Sequence, residues 1–215
     1  MTRDGTDPTP RRTSPEDDLT ERIFRAGDEL VHIVLTSFLW VVTSLPLITL
    51  PASTAALFGT LSDHVVRGRR GYVGPYFLII RRSFRTVTWR GILLLGAVVL
   101  FGLNAAFYLL GDHDASWARI GGGVQLVACL VAIGWCLRFF DLVGGHWSSR
   151  EFGHPPGIRA AGRLFLDTPV PTLLAALSVL AVPALLIWLS LWQFTLFTAG
   201  IQAYLAVRIL HRGDR

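Results

Sequence analysis

Few side chains in this sequence could do chemistry, and their spacing narrows what that chemistry would be. Asp63, His64, Arg138 and Asp141 stand near the ends of long uncharged stretches. Arg138 and Asp141 are spaced i, i+3, so a helix would put them on one face, where they could pair. Each of these groups could serve an inner gate, although charges at segment ends are ordinary. Asn104, Gln125, Gln193 and Gln202 are uncharged polar groups within the apolar stretches. They could line a sugar path, but bonding between helices is their commoner role. His146 and His154 flank Glu151 without a second ligand pair, and the six histidines are scattered. The zinc-protease, serine-hydrolase and nucleotide-loop motifs are missing. The expectation is a protein that is not an enzyme, with no catalytic, cofactor-binding or metal-binding residues.

The elements that would carry these groups follow from composition. The chain has 215 residues, 52% hydrophobic and only 16% charged, with a mean hydropathy of +0.49. An ordinary soluble domain carries about 25% charged residues. Residues 30–62, 91–111, 120–137 and 168–207 contain no Asp, Glu or Arg. An apolar run of about 18 residues or more reads as a membrane-spanning helix. The later three runs also lack His, which counts against a proton relay. The predicted fold is all-α, a polytopic transmembrane helical bundle. It has four clear crossings plus a Pro-broken N-terminal helix or hairpin, with cytoplasmic amphipathic helices.

The charge balance supports the same class. All 20 basic residues are Arg, as a GC-rich bacterial genome would give, and the net charge is +5. In a membrane protein that excess follows from the positive-inside rule and calls for no nucleic acid. Cys129 and Cys136 share one apolar segment. Two helical turns hold them about 10 Å apart, too far for a disulfide.

Residues 1–18 are polar and rich in Pro, Thr and Asp, which predicts a disordered tail before a single transmembrane domain over 19–212. No cleavable signal peptide is expected. Leu19, Ile23, Ala26 and Leu30 have the spacing of an amphipathic helix feeding the first membrane segment. The runs 91–111 and 120–137 each fit one crossing, and 168–207 fits two, with a turn near Ser190 to Gln193. The run 30–62 is long for one crossing and short for two. Pro46 and Pro51 interrupt it, so it is one bent helix or a hairpin with a short second arm. Arginines cluster at 67–90, at 138–163 and after Val207. That pattern puts the C-terminus in the cytoplasm, and a hairpin would put the N-terminus there too. Trp89, Trp117, Trp147, Trp188 and Trp192 fall at segment ends, where an indole keeps its N–H wet. Trp40 and Trp135 are expected to pack between helices.

The most distinctive local sequence lies between Pro46 and Pro51 and just beyond. Two prolines break the helix, and Thr49, Ser53 and Thr54 are placed to satisfy the freed backbone groups. Ala52, Ala55 and Ala56 then allow a second helix to come close. Broken helices at membrane depth often line solute or ion sites, and a packed hairpin corner is the simpler alternative. Over 76–90, Phe77, Ile80, Phe84 and Val87 take one side while Arg82, Arg85 and Arg90 take the other. This predicts an interfacial helix on the cytoplasmic leaflet, offered to lipid or to a partner. A weaker copy sets Ile158, Ala161 and Phe165 against Arg159 and Arg163, hinting at a parallel internal repeat.

The segment SFLWVVTSLPLITLPASTAALFGTLSDHVVRG, followed by GPYFLIIRRSFRTVTWRGILLL, resembles the YesL-like family of bacterial integral membrane proteins. The resemblance is concentrated in residues 35–110. It implies a membrane protein of unknown molecular function that is frequently encoded beside sugar-uptake and polysaccharide-utilisation genes, and it supplies no catalytic or binding residues. The chain lacks the Glu-Ala-Ala…Gly loop pattern of permease subunits that dock on a transport ATPase. The expectation is a non-enzymatic accessory component of carbohydrate uptake in the cytoplasmic membrane. Its partners would be the lipid bilayer, a sugar transporter complex and, as a homo-oligomer, copies of itself. The competing expectations are a small sugar transporter acting as an oligomer and a structural membrane protein.

Overall fold

The computed structural model describes residues 15–68, 71, 73–111, 116–148, 156–188 and 198–212. Among them the protein is helical throughout, with no strand. The helices are α1 (Pro15–Ser44), α2 (Leu50–Arg67), α3 (Val73–Leu110), α4 (Ser116–Ser148), α5 (Ile158–Asp167), α6 (Pro169–Trp188) and α7 (Ala199–Arg212). A single 3-10 turn, Leu47–Thr49, joins α1 to α2. Three segments among the described residues are long and apolar enough to cross a membrane: Ala26–Ser44, Val73–Leu110 and Ser116–Ser148. The number rises to 4 when Ile158–Asp167 and Pro169–Val182, bent by 107°, count as one span. The turn expected near Ser190 to Gln193 lies outside the described residues, as does most of the polar tail; the described chain is helical from Pro15.

The chain divides into two compact units, Met1–His32 and Ile33–Arg215. In the first, Ile23, Phe24 and Leu30 of the helix are exposed. The second holds the remaining elements and the core.

Its first feature is the break at the prolines. Pro46 lacks an N–H and disfavours helix at Leu45, and it sits in extended backbone at φ −76°, ψ 109°. Pro51 falls in the first turn of α2, where its missing donor costs nothing. Trp40 Nε1 donates to Thr54 Oγ1 at 3.1 Å. Fourteen residues of unbroken helix would hold those groups about 21 Å apart. The chain therefore reverses at the prolines, which rejects the single bent helix. Gly68 closes α2 in the left-handed region at φ 62°, and its N–H bonds the His64 carbonyl at 3.0 Å.

The most enclosed helix is α2. Its residues from Ala55 to Asp63 are all buried, and α3, α4 and α7 pack around it. It also carries hydroxyls. Thr60 Oγ1 donates to the Ala56 carbonyl at 2.8 Å, and Thr54 Oγ1 to the Leu50 carbonyl at 2.7 Å. A helix enclosed by protein tolerates such groups because each hydroxyl is satisfied on its own backbone. Small side chains meanwhile let the neighbours approach.

α3 and α4 form an antiparallel pair. Gly122 packs on Leu109, Cys129 reaches the Val98 carbonyl, and Phe140 lies against Gly91. The two cysteines are free and buried. The outer half of α3 exposes Val99, Leu100, Leu103 and Phe107, the apolar face that a bilayer would solvate.

Three expectations need correction. The basic stretch 76–90 is not a separate interfacial helix but the first half of the unbroken α3. Its buried side is Tyr76, Ile79, Ser83 and Val87, while Phe77 and Phe84 are exposed beside the arginines. The buried side meets α2 through Ile79 against Gly59 and through Tyr76 at the Ser53 carbonyl. The internal repeat also loses its structural basis, since α3 is continuous where α5 and α6 meet at 107°. Finally, Trp147 does not keep its N–H wet. Its Nε1 is buried without an acceptor among the described residues, and its ring meets that of His146 edge-on at 5.1 Å.

Candidate functional site

The proline corner is built from side chains of α1, α2 and α3. Thr49 Oγ1 donates to the carbonyls of Thr43 and Pro46, closing the turn on itself. Ser53 Oγ donates to the Leu50 carbonyl at 2.9 Å and lies 2.9 Å from Ser44 Oγ. Thr54 accepts the Trp40 indole and gives its own hydrogen back to Leu50. Into this group α3 sends Tyr76, whose side chain is fully buried. Its hydroxyl lies 2.8 Å from Thr43 Oγ1 and 3.5 Å from the Ser53 carbonyl. Since Thr43 gives its hydrogen to the Leu39 carbonyl at 2.7 Å, the tyrosine is the donor to Thr43.

Thr49, Ser53 and Thr54 are thus gathered at one place, and each turns its hydrogen inward to the backbone. Pro46 and Pro51 supply the break and the restart. Sequence reasoning missed Tyr76. An isolated tyrosine three residues into an apolar helix, 33 residues from its partner, gives no local signal.

The arginines of α3 lie elsewhere on that helix. Arg82, Arg85 and Arg90 are exposed, and so is Arg81. On α5, Arg159 and Arg163 are exposed while Ala161 is fully buried and Ile158 packs on the core. The amphipathic pattern read for 158–165 therefore matches the burial.

Arg138 is the principal buried charge, only 1% exposed. Nε donates to Thr172 Oγ1 at 2.9 Å, and Nη2 donates to Thr168 Oγ1. Thr168 is the residue at which α5 bends into α6. The guanidinium of α4 thereby fixes the bend, using the planar fork that only arginine offers. Asp141, one turn on, is also buried. A gate at a segment end is not what this arrangement resembles.

Asp63 and Arg67 form an i, i+4 pair at 2.8 Å, and Arg67 also donates to Ser148 Oγ at 2.9 Å, tying the ends of α2 and α4. Among the polar groups read as a path, Gln202 bonds Thr198 at 2.9 Å, and Gln125 has its Oε1 buried without a donor among the described residues. Trp135 donates to the Ile158 carbonyl at 3.0 Å, packed between helices as expected. Gln193, Glu151 and His154 lie outside the described residues. Among the described residues no three of His, Cys, Asp and Glu group as metal ligands.

The chain matches no protein-family model, and no curated protein or solved structure matches it at a significant level.

Proposed function

We propose that this chain is a non-enzymatic, multi-pass accessory protein of the cytoplasmic membrane that works through contacts and is linked to carbohydrate uptake. The observation that carries the contact reading is the corner, where Thr49, Ser53 and Thr54 give their hydrogens to the backbone. A solute path would need those hydroxyls turned toward a lumen. Apolar helices of membrane-spanning length support the setting, and the resemblance of residues 35–110 to YesL-like proteins supports the link to sugar uptake.

In this reading α5 lies along the cytoplasmic face and offers Arg159 and Arg163 to a transporter component. The positive-inside rule supports that side for the arginines. The test is crosslinking in cells induced with polysaccharide, followed by purification of the chain. Recovery of a sugar-transport component is expected. Recovery of none, or sugar flux by the reconstituted chain alone, would overturn the proposal.

A further inference from the structure

Two contacts fix where the proline corner lies along α3. The Tyr76 hydroxyl meets Thr43 at 2.8 Å, and Gly91 backs onto Pro51. Between these two points α3 carries Arg81, Arg82, Arg85 and Arg90. The corner and the arginines therefore occupy the same end of α3. From Gly91 to Leu110 the helix is uncharged, a length of about 30 Å that matches the hydrocarbon core. Arg90 thus marks a headgroup boundary, and Pro51 of the corner, packed on Gly91, shares its level.

All four guanidiniums are exposed. α3 contains no Asp or Glu, and among the described residues no carboxylate pairs with them. The neighbouring surface is apolar. Phe84 and Trp89 are exposed on α3, and Leu45, Leu47 and Ile48 are 77%, 81% and 59% exposed at the corner. Such aliphatic exposure is costly in water, and four charges are costly in hydrocarbon. Both are satisfied where phosphates lie above acyl chains.

We infer that the corner and the first half of α3 form one docking surface for acidic phospholipids. The guanidiniums take the phosphates through paired N–H donors, and Leu45, Leu47 and Ile48 enter the acyl region of the same leaflet. This puts the corner on the arginine-bearing face, whereas a hairpin of two full crossings would put it on the opposite one. The inference does not depend on the link to carbohydrate uptake.

The test counts lipids retained by the full chain in neutral detergent by native mass spectrometry, with phosphatidylglycerol and phosphatidylcholine offered equally. Preferential retention of phosphatidylglycerol is expected, falling roughly fivefold in Arg82→Gln and further in Arg81→Gln/Arg82→Gln/Arg85→Gln. Leu47→Glu, which sets a negative charge at the same level, is expected to lower retention too. Circular dichroism establishes that each variant stays folded. Equal retention of the two lipids, or no loss in the triple variant, would overturn the inference. So would Leu47→Glu leaving retention unchanged, or full displacement of the lipid by inorganic phosphate at equal concentration.

Discussion

Gly59 of α2 and Gly144 of α4 meet backbone to backbone. A β-carbon on Gly144 would fall 2.5 Å from both the Ala55 carbonyl oxygen and the Gly59 nitrogen. On Gly59 it would fall 2.7 Å from the Gly144 carbonyl oxygen. Main chain cannot yield as a flexible side chain can, so this crossing sets the depth to which α2 sinks between its neighbours.

Gly144→Ala is therefore expected to cost about 1–3 kcal/mol, the usual penalty of overpacking. The adjacent Gly145 has open space around its α-carbon, so Gly145→Ala serves as the matched control. Unfolding of both variants in a mixed-detergent titration checks the difference. Equal loss in the two would show that the helix crossing is misplaced.

Thr172→Val removes the acceptor of the buried Arg138 Nε. Removing a hydrogen bond made by a charged donor is expected to cost about 1.5–3 kcal/mol. Arg138→Lys should lose a comparable amount, because one compact ammonium cannot serve Thr168 and Thr172 in the geometry of the fork. The same titration reads both. A double-mutant cycle of Arg138→Met with Thr172→Val should show coupling between them.

Tyr76→Phe deletes the hydroxyl that α3 contributes to the corner, and is expected to cost about 1 kcal/mol. Trp40→Phe and Thr54→Val should each destabilise by a similar amount and together by less than their sum, since they break one shared bond. Additive losses would separate the indole from the threonine.

Arg159→Glu/Arg163→Glu reverses the exposed charge of α5 without touching its buried Ala161. The thermal midpoint should stay within experimental error of the parent chain. Recovery of the transport component after crosslinking should be lost. Unchanged recovery would move the docking surface off α5.

Much of the architecture was legible in the sequence, for reasons that differ between elements. Runs without charge located α3 and α4, because lipid tolerates almost nothing else along a crossing. Pro46 and Pro51 located the break, because a missing N–H acts locally whatever the tertiary context. The amphipathic face of α5 was legible from the alternation of Ile158 and Ala161 with Arg159 and Arg163. The inner face of α3 was not. Spacing set Phe77, Ile80, Phe84 and Val87 on one side, but Val87 is buried while Phe77 and Phe84 are exposed, and Tyr76 reaches the Ser53 carbonyl of α2 instead. In a membrane protein large apolar side chains can face lipid, so apolarity no longer identifies the core. Arg138 was legible as an unusual charge but not as the residue fixing the bend, since its threonine partners are 30 and 34 positions away.

The reversal of the chain at the prolines brings Ser44 and Ser53 together, and a crosslink between them reports it. Their hydroxyl oxygens are 2.9 Å apart, whereas nine residues of continuous helix would separate them by about 13 Å. With Cys129 and Cys136 replaced by Ala, Ser44→Cys/Ser53→Cys is oxidised mildly in native membranes, and the digested peptides are weighed. A disulfide between positions 44 and 53 within one chain is expected. Two free thiols, each separately alkylated, would contradict it.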